Sequence, residues 1–152
     1  MFRGNHPTRV DEKGRLKFPA EFKHWIEETY SSDEKTTGKF FITSKNGKDV
    51  EIYPMQEWLK IEDKLSKIPD LNPAKQKYLD LVNYWGQNAE MDTQGRVLIP
   101  QLLRESAKAL GDVIVFGMQT YLKAANHEDY KSRMDAAPLT AGDQMALAEF
   151  GL

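Results

Sequence analysis

A chain of 152 residues with 40% hydrophobic and 29% charged side chains has the composition of a folded protein, long enough for one compact domain or two small ones sharing a core. It contains no cysteine, which excludes disulfides, thiolate metal sites and cysteine nucleophiles, and it has no apolar run long enough to span a bilayer. The net charge of −2 argues against a uniformly basic polyanion binder, yet residues 1–24 hold six Lys or Arg against three acids, and residues 124–152 hold two against five. The opening residues lack the charged-then-apolar layout of a secretory signal, so a cytoplasmic location is expected.

In chain order, residues 7–10 and 15–18 flank Asp11-Glu12-Lys13-Gly14 and predict two short strands joined by a tight turn. Aspartate at the first turn position accepts bonds from backbone amides further on, and glycine at the fourth tolerates positive φ. Asp11 and Gly14 are thus structural residues of a type I turn closed by a glycine bulge. Pro19 suits the first turn of a helix in which Phe22, Trp25 and Ile26 share a face. Strands are predicted over 39–43 and 50–53, around the hairpin signal Asn46-Gly47. Pro54 opens an amphipathic helix with the stripe Trp58, Ile61, Leu65 and Ile68, whose acidic stretch from Glu57 to Asp63 reads as a solvated face. After Pro69, Asn72-Pro73 starts a second helix carrying Ala74, Tyr78, Leu81, Val82 and Trp85 on one side. Strands over 88–91 and 96–99, a helix with Leu102, Leu103 and Leu110 inward, and strands over 113–117 and 121–124 follow. Residues 128–134 and 140–150 predict two tail helices, the second capped by Thr140.

The order is duplicated. The segment from Asp11 to Pro19 recurs from Asp92 to Pro100 at an ungapped offset of 81, with Asp, Gly, Arg and Pro identical. Asp92 and Gly95 therefore take the same turn roles as Asp11 and Gly14. A four-strand unit of about 45 residues has too little core to stand alone, so the two copies are expected to pack together as an internal pseudo-dimer.

Arg15 and Arg96 each follow the turn glycine. Once the copies pack, Lys13, Arg15, Lys17 and Arg96 are expected on one surface. A guanidinium there can bond a guanine edge bidentately or clamp a phosphate. Each arginine can equally pair with its own Asp11 or Asp92 and stiffen the hairpin, and the two roles are compatible. A catalytic dyad of Asp11 and Asp92 is not needed, because the turn accounts for both. His6, His24 and His127 show no metal-ligand spacing, and Gly14 and Gly95 are isolated turn glycines with no phosphate-loop pattern around them. No enzyme activity, cofactor, metal or small-molecule substrate is expected.

Met1-Phe2-Arg3-Gly4, the unit from Asp11 to Pro19, Ile52-Tyr53-Pro54 with Trp58, Asn72-Pro73, and Met91-Asp92 with Gly95 to Pro100 together resemble the MraZ family in order and spacing, from the first residue to the acidic tail. The resemblance implies an α+β fold of tandem AbrB-like swapped-hairpin β-barrel repeats forming an internal pseudo-dimer, with packing helices between and after them. The implied domains are 5–54 and 83–126, joined by a helical connector over 55–82 and followed by an acidic helical tail over 127–152. It further implies a nucleoid-associated, sequence-specific transcriptional regulator. Such a protein binds short G-rich repeats in double-stranded DNA as a homo-oligomeric ring, at the promoter of the division and cell-wall gene cluster. Carried over by position, the DNA-facing residues are Arg3, Lys13, Arg15 and Lys17, with Arg96 in the second motif.

The two copies differ in charge. The second has Thr93-Gln94 and Leu98 where the first has Glu12-Lys13 and Lys17. Arg15 is therefore expected to do more of the reading, and Arg96 to hold its hairpin or a neighbouring subunit. Asn5-His6-Pro7 departs from the usual family opening, and Pro7 is expected to delay the first strand. The alternative is a protein-interaction module of antitoxin-like type, with the tail as working surface and DNA binding secondary.

Overall fold

The computed structural model describes all of residues 1–152. The first copy supplies β1 (Asn5–Val10), β2 (Arg15–Lys17), α1 (Ala20–Tyr30), β3 (Lys39–Thr43) and β4 (Val50–Pro54). The helices α2 (Met55–Ser66) and α3 (Pro73–Trp85) come next. The second copy repeats the plan as β5 (Gln87–Glu90), β6 (Arg96–Leu98), α4 (Gln101–Ala107), β7 (Gly111–Met118) and β8 (Tyr121–Asn126). Two tail helices follow, α5 (His127–Ala136) and α6 (Ala141–Ala148). No helix is long and apolar enough to cross a membrane.

The strands form one antiparallel sheet in the order β5-β3-β4-β8-β7-β1-β2-β6. Within it the copies are exchanged. β1 pairs along its whole length with β7 of the other copy, from Asn5↔Phe116 to Val10↔Gly111, and β3 pairs reciprocally with β5. β2 meets its own repeat equivalent β6, and β4 meets β8. The sheet is thus a nearly closed, pseudo-twofold barrel of the expected swapped-hairpin kind. The exchange has a physical cause: each hairpin is too short to cover its own apolar face, so that face is buried by the partner copy.

The core comes from equivalent positions of the repeat. Leu16 and Val97, Phe18 and Ile99, and Phe22 and Leu103 are all buried inside the barrel. A second cluster lies on the outer face of the sheet. Phe40 and Ile42 point into the barrel while Phe41 points out, stacking on Trp58 of α2 at 4.3 Å, with Tyr53 and Val82 of α3 alongside. Burial on both faces explains why this strand reads as an unbroken apolar run.

Several expectations need correction. β1 starts at Asn5 and runs through Pro7, which pairs with Ile114. Pro7 delays nothing, because β2 reaches β1 only at Val10↔Leu16 and leaves the flank beside the proline open. The helix containing Leu102 and Leu103 ends at Ala107, where Lys108 turns left-handed, so Leu110 falls outside it and is exposed, as is Leu102. In α2 only Trp58 is fully buried, and Ile68 lies beyond the helix end. Leu81 of α3 is exposed. Glu57 is not part of a solvated face: it is largely covered and accepts a hydrogen bond from the Tyr30 hydroxyl at 3.1 Å. That bond, together with burial, pushes the Tyr30 phenol far above its ordinary range, with burial the larger cause.

The tail divides into two parts. α5 lies on β7 and β8, with Tyr130 packed on Phe116 at 4.7 Å and Arg133 bonded to Asp49 at 2.8 Å. α6 carries the expected Thr140 cap as a full capping box with Asp143, and buries no side chain.

Candidate nucleic-acid interface

Each Asp-x-x-Gly-Arg turn is closed by one carboxylate. Asp11 Oδ1 accepts from the backbone amides of Lys13 and Arg15 at 3.0 and 2.9 Å, and its Oδ2 accepts from Arg15 Nε at 2.7 Å. The backbone closes the same turn, Gly14 N–H to Asp11 C=O at 2.9 Å and Asp11 N–H to Arg15 C=O at 3.0 Å. Gly14 sits at φ +88°, the left-handed conformation its position requires. The second turn repeats every bond: Asp92 accepts from Gln94 N, Arg96 N and Arg96 Nε, each at 2.9 Å, and Gly95 has φ +74°. Backbone N–H donation from Arg15 and Arg96 is the main cause holding both aspartates below the ordinary carboxylate range. The guanidinium bonds act in the same direction, and partial desolvation opposes them.

Pairing of β2 with β6 brings the two arginines together. Leu16 opposes Val97, Arg15 opposes Leu98, and Lys17 opposes Arg96. Lys17 Nζ donates to the Gln94 carbonyl of the other turn, and Arg96 Nη1 approaches Asp11 Oδ2 at 3.8 Å. The two arginines are consequently not equivalent. Arg15 uses only Nε on Asp11 and leaves both Nη groups without a protein partner. Arg96 engages Asp92 through Nε and leans on Asp11 through Nη1.

A shallow groove of about 590 Å³ runs along this seam, lined by Arg9, Arg15, Lys17 and Arg96 with Asp11 and Glu12. Asp11 and Glu12 in the lining, together with Asp112 and Asp92 paired to Arg9 and Arg96, balance the four cations, so what the groove offers an anionic ligand is the free Nη edge of Arg15 rather than a net positive charge. Lys13 is exposed on the turn itself. Arg3 lies apart: it precedes β1, beside Gly117 near the far end of β7, whereas the hairpins sit at the Val10↔Gly111 end. The hairpin face thus gathers Lys13, Arg15, Lys17 and Arg96 and does not include Arg3.

Two kinds of residue escaped the sequence reading. Arg9 projects from β1 into the groove and pairs loosely with exposed Asp112 at 3.2 Å; nothing local marks it. Arg104 of α4 lies over the Gly14 turn, and Lys23 of α1 lies over the Gly95 turn. Those two were legible in principle, because they are cations at equivalent positions of the repeat, again 81 apart.

A pseudo-twofold barrel of two exchanged strand-turn-strand-helix units, with two Asp-x-x-Gly-Arg turns opening onto one arginine-lined groove, defines an AbrB-like double swapped-hairpin protein. The chain belongs to the MraZ family. The family's sequence profile, described as "MraZ protein, putative antitoxin-like", matches residues 1–81 and again 86–150. The chain is 66% identical to the "Transcriptional regulator MraZ" of Acidobacterium capsulatum and 50% identical to that of Koribacter versatilis, in both cases over 152 residues and the whole of each chain. It is 32% identical to the protein of the same name from Syntrophobacter fumaroxidans over 135 residues, which is 89% of this chain and 83% of that one.

Proposed function

We propose that this chain is a DNA-binding transcription regulator that reads double-stranded promoter DNA through the hairpin face. The observation that carries the proposal is the groove in which Arg15, its Nε fixed by Asp11 and both Nη groups free, stands beside Arg9, Lys17 and Arg96. A guanidinium held on one edge and open on the other suits bidentate bonding to a guanine or a phosphate. The finer reading follows the family resemblance: short G-rich repeats upstream of the division and cell-wall gene cluster, bound by a ring of identical subunits associated with the nucleoid. One groove offers few cations, so affinity for a single repeat is low. Engagement of several repeats by several subunits raises avidity by about 10²–10⁴. Arg15 is the main reader, Lys13, Lys17 and Arg96 assist, and Arg3 contributes from a separate position.

The test is fluorescence anisotropy with the chain's own upstream DNA at two salt concentrations, together with size-exclusion chromatography. Arg15→Ala is expected to abolish specific binding with elution unchanged. Retained binding to the repeats would remove Arg15 from the reading role.

A second reading rests on α6 and the residues after it: the helix buries no side chain and exposes Met145, and Phe150 and Leu152 beyond its end are exposed as well. In an antitoxin-like interaction module this tail is the working surface. Deletion of residues 126–152 then destroys function while DNA binding is incidental.

A further inference from the structure

Each turn tip is covered by a cation from the other copy. The guanidinium of Arg104, in α4 of the second copy, lies against Gly14 of the first so closely that a Cβ there would overlap Cζ and Nη1. Lys23, in α1 of the first copy, lies over Gly95 of the second, with its Cδ 3.2 Å from the place a Cβ would take. The backbone beneath is reciprocal as well: Ile99 N–H donates to the Gly14 carbonyl at 2.9 Å, and Phe18 N–H to the Gly95 carbonyl at 3.0 Å. The covers nevertheless differ in kind. Arg104 Nη1 donates to the Ile99 carbonyl at 2.7 Å, fixing the guanidinium to the residue whose amide holds Gly14. Lys23 has no such bond to the second turn; its Nζ turns to Glu27 at 3.6 Å, and its closest atoms over Gly95 are the methylenes Cδ and Cε.

We infer that Arg104 is a positioning residue for DNA recognition, a clamp from the second copy that holds the Lys13–Gly14–Arg15 tip of the first in its binding orientation. This rests on the DNA-binding reading above. The clamp joins Gly14, Ile99 and Arg104 into one unit, so the conformation of the more basic hairpin is set by the less basic copy. The planar guanidinium suits the task, because it lies flat on a glycine and still donates along its edge. The methylene cover on Gly95 leaves the second tip looser, in keeping with its smaller cationic load. The division of labour is then coherent: one copy carries the reading cations and the other supplies the fixed clamp.

The experiment uses the full chain, wild type beside Arg104→Met and the conservative Arg104→Lys, with Lys23→Ala as the reciprocal variant. Amide hydrogen exchange reports the clamp without DNA, and anisotropy against the upstream DNA over a salt series reports recognition. In Arg104→Met, exchange is expected to accelerate at Gly14 and Arg15 but not at Gly95. DNA affinity should fall about tenfold, the size associated with a charge-assisted hydrogen bond, with the salt slope unchanged because the same phosphates are neutralised in the bound state. Arg104→Lys, which keeps charge but loses the planar clamp, should recover less than half of that affinity on a logarithmic scale. Lys23→Ala should accelerate exchange at Gly95 with affinity within twofold of wild type. A salt slope lowered by about 0.9, the value for one lost phosphate, would make Arg104 a direct contact and overturn the inference. So would unchanged exchange at Gly14, or unchanged affinity with exchange accelerated. If wild type itself fails to bind the DNA, the DNA reading falls and the positioning role falls with it. The exchange arm still decides separately whether the clamp exists.

Discussion

Leu16 and Val97 face each other where β2 crosses β6, and they are the same residue of the repeat, 81 positions apart. Both are fully buried, and the pairs on either side, Arg15↔Leu98 and Lys17↔Arg96, exchange under the repeat relation. The pseudo-twofold axis of the barrel therefore passes between these two side chains. The hairpin face and the core meet at this point, with Leu16 inward and its neighbours Arg15 and Lys17 lining the groove. Alternation along a strand makes this possible, since residues on either side of a buried position point to the opposite face.

Truncation at the axis should be costly on both sides. Leu16→Ala is expected to destabilise the protein by about 3 kcal/mol, lowering the melting temperature by roughly 6–12 °C for a chain of this size. Val97→Ala removes less side chain and should cost about 2 kcal/mol. Thermal denaturation followed by circular dichroism measures both. A loss below 1 kcal/mol at Leu16 would show that the seam is not part of the cooperative core.

The two turn glycines should differ in their tolerance of alanine. Gly95→Ala meets the left-handed backbone penalty and only a flexible lysine methylene, for a cost of about 1–2 kcal/mol. Gly14→Ala meets the same penalty and must also displace Arg104 from its bond to Ile99, adding about 1–2 kcal/mol. Equilibrium urea unfolding of the two variants checks the order, and equal losses would contradict it.

Acid sensitivity follows from the turn aspartates. Amide and guanidinium donors hold Asp11 and Asp92 below the ordinary carboxylate range in the folded protein. The unfolded chain therefore binds their protons first as pH falls. Their stabilising contribution is complete above the unfolded-chain value of about 3.9 and is lost as pH falls through the lower folded-state values. The Asp11→Asn/Asp92→Asn variant should be less stable than wild type at neutral pH and show a flatter stability profile below about pH 4. Urea midpoints from neutral to strongly acidic pH provide the measurement, and parallel profiles would refute the assignment.

A partly buried ion pair holds α5 to the body of the protein beside the Tyr130–Phe116 contact. Asp49 accepts from Arg133 at 2.8 Å and from the Asn46 side-chain amide at 2.9 Å. Burial alone would raise the Asp49 carboxyl, but these bonds and nearby cations outweigh it and hold it low. Asp49→Ala should cost about 1.5–3 kcal/mol, the range for hydrogen bonds to charged groups. It should release α5, so that trypsin cuts at Lys131 and Arg133 faster while cutting in α1 keeps its wild-type rate.

Much of this protein was written in the sequence at short range. The Asp-x-x-Gly-Arg turns were legible because all their bonds close within five residues, and the repeat was legible because duplication preserved spacing as well as residue type. Strand order within each copy and the Asn72 and Thr140 helix caps were readable for the same local reason. What required the tertiary structure was every decision about partners. That β1 lies on β7 and not on β3 depends on which apolar faces can cover each other, a property of the assembled barrel. The different bonding of Arg15 and Arg96 was decided only when Arg96 was carried within reach of Asp11. Arg3, close in sequence to the hairpin, was separated from it by the length of a strand, while Arg104, ninety positions from Gly14, was laid directly upon it. Local hydrogen bonding fixes turns from sequence alone, whereas the burial that exchanges the hairpins is non-directional and is resolved only when both copies are present.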